Sequence, residues 1–323
     1  MSVRVALLGC GRWGRNVGRC LARLGALEAV TDANLAAAAG YAKEFSTRAG
    51  TVDEILADTA IDAVAIASPA ITHADLGVAA LRAGKHVFVE KPMAVDVESA
   101  LVLAQTAVDV DKTLMVGHLL QYHPAFLELK DCVERGDIGL LRYVYSNRLS
   151  FGQIRTEENT LWSFAPHDLS MILTLMGESP TRVSATGAAY VQSHLPDVAT
   201  THLEFSGGRR AHVFVSWLHP YKEQRLVAIG ERGMIEFNDA QDWSAKVVMY
   251  PHRVDWDGDL PTAQKAEVVN VPVLESEPLL DEMRHFIECV ETKRSPRTGA
   301  DEGLAVQHVL NAAQRSLDEA AGL

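Results

Sequence analysis

Short apolar runs alternate with amphipathic stretches over the first 118 residues, and the pattern changes beyond them. Val3–Leu8, Leu27–Asp32, Ala63–Ala67, Val87–Val89 and Leu114–Gly117 have the length and composition of strands. Ala63-Val64-Ala65-Ile66-Ala67 is apolar without interruption, as expected of a strand buried on both faces of a parallel sheet. Stretches of helical period lie between the runs. They are the segment after Gly14 with Val17, Cys20, Leu21 and Leu24 on one face, Ala36–Phe45, Thr72-His73 through Ala83, and Asp96–Val108. Val52 with Asp53–Ala57 reads as a short strand-to-helix step. Strands alternating with helices predict an α/β domain built on a doubly wound parallel sheet.

Residues 119–323 have a different texture. Leu141–Leu149, Thr181–Tyr190, Ala199–Phe205, Ala211–Trp217, Gln224–Ile229, Met234–Phe237 and Lys246–Tyr250 are strand-like, and several alternate apolar with polar residues. Ser206-Gly207-Gly208-Arg209 is a hairpin signal between two of them. Helices are expected at Ala125–Arg135, Asp168–Met176, Leu279–Thr292 and Ala300–Ala321, and Pro251–Lys265 reads as a mobile loop. The expectation is therefore two domains: a nucleotide-binding one over 1–118, and an α+β substrate and oligomerisation domain with a largely antiparallel open sheet over 119–323. An open sheet face calls for cover, which predicts a homodimer or homotetramer.

The first strand runs straight into Gly9-Cys10-Gly11-Arg12-Trp13-Gly14 and then a helix, the context that the Rossmann dinucleotide fingerprint requires. Gly9 suits the tight turn, Gly11 a close backbone approach to a pyrophosphate, and Gly14 close helix packing; Arg12 and Trp13 are assigned to the cofactor with them. The helix N-terminus offers amides to the phosphates. A plain glycine turn is the alternative. Asp32, at the end of the second strand, fits an acid that accepts from both ribose hydroxyls and repels a 2′-phosphate, which predicts NAD over NADP. Its alternative is a helix cap near Asn34.

Composition narrows the classes. With 323 residues the chain suits about two domains. Apolar content of 48% and charged content of 22% are ordinary for globular protein, and no apolar run is long enough to span a membrane. A net charge of −12 argues against nucleic acid as a partner, and it requires local arginines or helix ends to hold any anionic substrate. Cys10, Cys20, Cys132 and Cys289 form no C-x-x-C pair, so neither a disulfide framework nor a metal is expected. The first residues enter a strand-like segment without the spacing of a signal peptide, which predicts a cytoplasmic location.

Gly84-Lys85-His86-Val87-Phe88-Val89-Glu90-Lys91-Pro92 is a strand ending abruptly in an acid, a lysine and a proline. In an open parallel sheet, ligands bind beyond the carboxyl ends of the strands, so Lys91 is delivered to the ligand crevice. Together with the glycine fingerprint and Ser68-Pro69 with Thr72-His73, this stretch resembles the Gfo/Idh/MocA oxidoreductases over essentially the whole chain. The resemblance implies that Lys91 lies near the nicotinamide and the reacting hydroxyl, that Glu90 accompanies it, and that Ser68, Pro69, Thr72 and His73 line the cofactor. A structural role for His73 stays open. The family also carries an acid/base histidine at the start of a helix, which His167 in Trp162-Ser163-Phe164-Ala165-Pro166-His167-Asp168 matches. Many members have an acid where this chain has Ser163.

Gly117-His118-Leu119-Leu120-Gln121-Tyr122-His123-Pro124 links the two halves, and Gln121, Tyr122 and His123 are assigned to substrate with Trp162 and Ser163. Arg148 and Arg155 suit a diphosphate because a guanidinium fork binds it bidentately; solvated surface arginines are the alternative. These segments look most like the branch that oxidises UDP-N-acetylglucosamine at C3, whose product a partner aminotransferase converts to a 3-amino sugar for lipid A or surface polysaccharide. The resemblance leaves room for dehydrogenases of UDP-N-acetylglucosaminuronate or of inositol, and fold alone leaves room for a non-catalytic NAD-sensing regulator.

Overall fold

The computed structural model describes residues 3–321, so residues 1–2 and 322–323 of the two expected domains lie outside the described residues. The chain divides into two compact units, Met1–Tyr122 with Glu277–Gln307 and His123–Ser276 with His308–Leu323.

In the first unit β1 (Val5–Leu8), α1 (Arg12–Arg23), β2 (Leu27–Thr31), α2 (Leu35–Glu44), β3 (Arg48–Ala49), α3 (Val52–Ala57), β4 (Ala63–Ile66), α4 (His73–Arg82), β5 (His86–Glu90), α5 (Val97–Asp109) and β6 (Leu114–Gly117) follow one another. All strand pairings are parallel, in the order β3-β2-β1-β4-β5-β6. The order reverses between β1 and β4, and every residue of those two strands is buried, which is why they are uninterruptedly apolar. Successive residues point to opposite faces. Leu7, Phe88 and Met115 pack with Val17 and Leu21 on one side, while Leu8, Val89 and Val116 pack with Leu81 and Leu103 on the other.

One local expectation is corrected at Val52. Val52 begins a helix rather than a strand, because Thr51 and Glu54 form a capping box: the Thr51 hydroxyl accepts from Glu54 N–H at 3.2 Å and the Glu54 carboxylate from Thr51 N–H at 2.8 Å. The strand at that place is the exposed pair Arg48–Ala49, too short and too polar to show in an apolar pattern.

The second unit holds α6 (Pro124–Glu134), β7 (Leu141–Phe151), α7 (Thr160–Met176), β8 (Arg182–Ala188), β9 (Val198–Glu204), β10 (Arg210–Ser216), β11 (Leu218–Gly230), β12 (Met234–Asn238), β13 (Val247–Tyr250), β14 (Arg253–Asp257), β15 (Leu260–Gln264) and β16 (Val269–Asn270). Its eight-stranded sheet runs β16-β13-β12-β11-β7-β10-β9-β8. It is antiparallel except where β7 meets β10. Along β7, Val144, Ser146 and Arg148 are buried under α7, whereas Tyr143, Tyr145 and Asn147 are half-buried on the other face. Pro251–Lys265 is a hairpin rather than a loop: β14 and β15 pair around Gly258-Asp259, with Gly258 at φ +58°.

α8 (Pro278–Thr292) and α9 (Ala300–Ala321) close the chain. Leu279, Met283 and Phe286 of α8 belong to the core of the first unit, with the Phe286 ring 5.9 Å from that of Phe88. Glu277, which opens α8, pairs with Arg19 and Arg23 of α1. The first unit is therefore discontinuous in sequence, unlike the expected division at residue 118. Among the described residues no helix is long and apolar enough to cross a membrane.

Phe286→Ala empties a fully buried site facing Phe88. The expected cost is roughly 3–5 kcal/mol of stability. Urea unfolding read against NAD binding checks it: a loss under about 1 kcal/mol would show that α8 is not part of the nucleotide-binding core.

Candidate active site

The glycine turn sits at the point where the strand order reverses. Gly9 N–H donates to Thr31 O at 2.9 Å and Ala67 N–H to Leu8 O at 2.8 Å, which knits the ends of β1, β2 and β4 together. Gly9 has φ +106°, and a Cβ there would come within 2.7 Å of the Ala67 and Ser68 backbone. A Cβ on Gly14 would stand 2.0 Å from Gly9 O. Gly11 differs: its Cβ would meet nothing within 4 Å and would project into the open cradle. Gly11 caps α1 with no side-chain acceptor on the first-turn amides and no acid in that turn, a favourable N-terminus for a pyrophosphate. Asp32 is half-buried at the end of β2. One of its oxygens accepts from Cys10 N–H at 2.7 Å and the other from Asn34 N–H at 2.8 Å. These bonds hold the carboxylate in place, and each oxygen keeps a lone pair for a ribose hydroxyl. Asn34, not Asp32, caps α2. The residues present fit a dinucleotide.

Beyond β4 the Ser68 hydroxyl meets Thr72 Oγ1 at 2.6 Å, and Thr72 Oγ1 donates to Pro69 O at 2.8 Å. His73 is only 1% exposed, with its ring nitrogens 2.8 Å from Pro92 O and from Ser68 O. It is a strut between the Ser68 turn and the Pro92 turn, so the expectation that it lines the cofactor gives way to the structural alternative. Burial pushes its pKa down, partly opposed by the Pro92 and Ser68 carbonyls.

β5 ends in Glu90 and Lys91, and the Lys91–Pro92 peptide is cis. Glu90 is buried and accepts from the Trp13 indole N–H of the glycine turn and from Lys91 N–H at 3.3 Å. Lys91 is half-exposed. Burial raises the Glu90 carboxyl to about 6, against the pull of Trp13, Lys91 and His118. Glu282 of α8 is fully buried, and neither carboxyl oxygen has a hydrogen-bond partner among the described residues. Burial, reinforced by Glu90 and Glu302, drives its pKa well above the ordinary carboxylate value. Sequence reasoning missed Glu282, although its signal is present: it stands on the apolar stripe of Leu279, Met283 and Phe286.

The 118–123 link is buried and already engaged. His118 Nδ1 lies 2.6 Å from Glu302. Gln121 O accepts from Arg297 Nη1 at 2.6 Å, and Tyr122 packs under the Arg297 guanidinium with its hydroxyl 3.0 Å from Thr298 Oγ1. His123 caps α6, its Nδ1 accepting from Ala125 N–H at 3.1 Å. That leaves the proton on Nε2, which faces Asp239 at 3.3 Å. Tyr122 and His123, expected to meet substrate, are thus held as packing elements.

In the second unit α7 starts at Thr160, capped by Asn159, whose side chain accepts from Trp162 N–H at 3.2 Å. His167 therefore lies within the helix rather than at its cap, half-exposed, one residue after the internal Pro166. The Trp162 indole donates to Gln314 at 3.0 Å, and Ser163 is buried. Asp168 is 1% exposed and accepts from Ser146 Oγ at 2.5 Å and from Arg148 Nε and Nη2 at 2.6 and 3.2 Å. Its charge is met by β7 rather than by the helix dipole. The pair locks α7 to the sheet one residue after His167. Arg148 is consequently engaged by Asp168, and the expected Arg148/Arg155 diphosphate fork is not assembled. Arg155 is exposed and paired with Glu158 at 3.0 Å.

A cradle at the strand reversal, a helix N-terminus and an anchored acid make the first unit that of a dinucleotide-binding protein. Residues 3–118 match the model described as the oxidoreductase family with an NAD-binding Rossmann fold, and residues 126–236 match the GFO/IDH/MocA C-terminal domain. The chain belongs to the Gfo/Idh/MocA oxidoreductases, and NAD is its cofactor. It is 28% identical to the inositol 2-dehydrogenase of Rhizobium meliloti over 99% of this chain and 98% of that one. It is 32% identical to the UDP-N-acetylglucosamine 3-dehydrogenase of Acidithiobacillus ferrooxidans over 66% of this chain and 67% of the relative. The solved structure of that Acidithiobacillus enzyme superposes with a TM-score of 0.88 at 25% identity, covering 99% of both chains.

Three outcomes are expected of variants. Asp32→Ala should weaken NAD binding by roughly 10- to 100-fold, the worth of hydrogen bonds to a charged group, and narrow the preference over NADP. Calorimetry with both cofactors checks this; an unchanged ratio excludes a ribose role. Arg148→Met strands the buried Asp168 charge and should cost roughly 3–5 kcal/mol in urea unfolding. For Glu282, an acid whose folded pKa is raised holds its proton more tightly when folded, so its stability cost grows as pH rises from the unfolded value of 4.5 toward the folded one. Glu282→Gln removes that dependence, and in thermal unfolding its advantage over wild type should widen with pH in this window. A constant gap would mean that Glu282 does not titrate abnormally.

Proposed function

We propose that the protein is an NAD-dependent dehydrogenase of a secondary alcohol on a sugar ring, and that the 3-hydroxyl of UDP-N-acetylglucosamine is the group oxidised. The observation that carries the chemistry is the turn after β5, where the side chain of Glu90 is tied to the glycine turn through Trp13 and Lys91 follows immediately, half-exposed. The likeness to the Acidithiobacillus UDP-N-acetylglucosamine 3-dehydrogenase, in sequence and over the full length in structure, supports the substrate.

NAD, when bound, supplies the hydride acceptor. His167 takes the hydroxyl proton; imidazole is the side chain whose ordinary titration range suits general base work near neutrality. Lys91 donates a hydrogen bond to the oxygen as alkoxide character develops, which stabilises the transition state more than the ground state. Ser163, where many relatives carry an acid, gives His167 no carboxylate on its own helix face, and Asp168 is turned toward Arg148. The 3-keto sugar nucleotide would then pass to an aminotransferase. The half-exposed sheet face bearing Tyr143 and Tyr145 is the surface proposed for a homodimer or homotetramer.

One observation favours a second reading. With Arg148 held by Asp168, the best-placed phosphate ligand foreseen from the sequence is absent, which suits a substrate without a diphosphate, such as an inositol. The similarity to the Rhizobium inositol 2-dehydrogenase runs in the same direction.

Purified protein with NAD and a panel of UDP-N-acetylglucosamine, UDP-N-acetylglucosaminuronate, myo-inositol and glucose, followed by NADH absorbance, separates the two. Preference for free inositol rejects the nucleotide-sugar reading. Lys91→Ala and His167→Ala should each lower kcat by roughly 10²–10⁴-fold while NAD still binds; turnover within a few-fold of wild type would falsify the assigned roles.

A further inference from the structure

Glu90 has no part in the hydride transfer described above, yet it links the two turns that matter most in the first unit. It is 7% exposed, and it joins the Trp13 indole of the glycine turn to the backbone of Lys91. The fully buried carboxyl of Glu282, without a hydrogen-bond partner among the described residues, is electrostatically coupled to it.

The groups around the pair come from every neighbouring element. Trp13 reaches it from α1, Lys91 follows β5, and His118 follows β6 and is paired with Glu302 of α9. Glu302 and Glu90 both bear on Glu282, and Glu282 bears in turn on Tyr122, which is covered by Arg297. His73 of α4 contacts the Pro92 carbonyl and feels the Lys91 charge. Glu90 and Glu282 thus share a dry region, and a single negative charge between them is easier to carry than two. Of Glu90 and Glu282, Glu90 is the one with a side-chain donor aimed at its ionised form, so the charge of that pair resides there, while Glu302 is met by His118.

A nicotinamide ring carries one positive charge when oxidised and none when reduced. We propose that Glu90, latched to the glycine turn by Trp13 and backed by Glu282, is the residue by which the protein distinguishes the two cofactor states, facing the charged ring as a carboxylate and the uncharged ring as a carboxylic acid. This rests on the reading above that the nicotinamide lies beside Lys91. Binding of the reduced cofactor then draws one proton from solvent onto Glu90, separate from the alcohol proton taken by His167.

The test is equilibrium binding without any sugar. Dissociation constants for NAD⁺, NADH and ADP-ribose are measured by calorimetry from about pH 5 to pH 8, a span bracketing the value of about 6 to which burial raises Glu90. For wild type, NAD⁺ affinity should fall toward tenfold per unit as pH drops below that midpoint, as linkage to one proton requires, while NADH affinity does not fall. ADP-ribose, lacking the ring, should show no such dependence. Glu90→Gln should abolish the dependence and shift the preference toward NADH by about tenfold or more at neutral pH. Trp13→Phe, which removes the donor to the carboxylate, should move the midpoint upward, and Glu282→Gln should leave it in place.

Parallel pH profiles for NAD⁺ and NADH overturn the proposal. So does a dependence that persists in Glu90→Gln, or one shared by ADP-ribose, which would mark an effect on the fold alone. The two readings fail separately. Turnover of a sugar without the split between NAD⁺ and NADH rejects only the role of Glu90. The split without turnover of any sugar rejects only the dehydrogenase assignment.

Discussion

At the end of β1 the chain turns so tightly that Gly9 O lies 2.0 Å from where a Cβ on residue 14 would stand. That approach draws the N-terminus of α1 onto the place where the strand order reverses, and it brings Trp13 onto Glu90. Through Glu90 the glycine turn is tied to the turn that bears Lys91. The Ser68 turn is fastened to the same assembly from the other side by His73. The cofactor end of the first unit is therefore a set of three loops held by backbone proximity and a few buried bonds.

The second unit relies on a different device. α7 contains a proline, which lacks the N–H that would have bonded one turn back. What fixes the helix is the Arg148–Asp168 pair, reached through Ser146 and Arg148 on the buried face of β7. A buried ion pair adds little net stability over an apolar pair, but breaking it is costly, and it specifies one orientation of the helix. His167 inherits that orientation.

Much of this is local and was readable. Gly9 and Gly14 announce their tight backbone approach through spacing after a strand, and the buried strands show as unbroken apolar runs. Lys91 could be placed at the end of a strand because the apolar run of β5 stops just before it. The start of α7 was misplaced because Pro166 and Asp168 imitate a helix opening, while the true cap, Asn159, precedes an apolar stretch without turn signals. The engagement of Arg148, Tyr122 and His123 could not be read, since their partners Asp168, Thr298 and Asp239 are distant in sequence and a side chain's availability is a property of its neighbours. Glu282 lay between these cases: its position on an apolar stripe marked it as anomalous, and only the fold shows which acids it stands beside.

The discontinuity of the first unit bears on how the protein is made. Phe88 emerges early in synthesis, but the ring that covers it, Phe286, arrives only after the entire eight-stranded sheet has been produced. The cofactor-binding unit is begun first and completed last. Until α8 docks, α1 lacks the apolar side chains of Leu279, Met283 and Phe286 and the Glu277 carboxylate, and has only the sheet side of its packing. A nascent chain paused before that point would present the glycine turn on an unfinished core, so competence to bind NAD arises with the final helices rather than with the segment that carries the fingerprint.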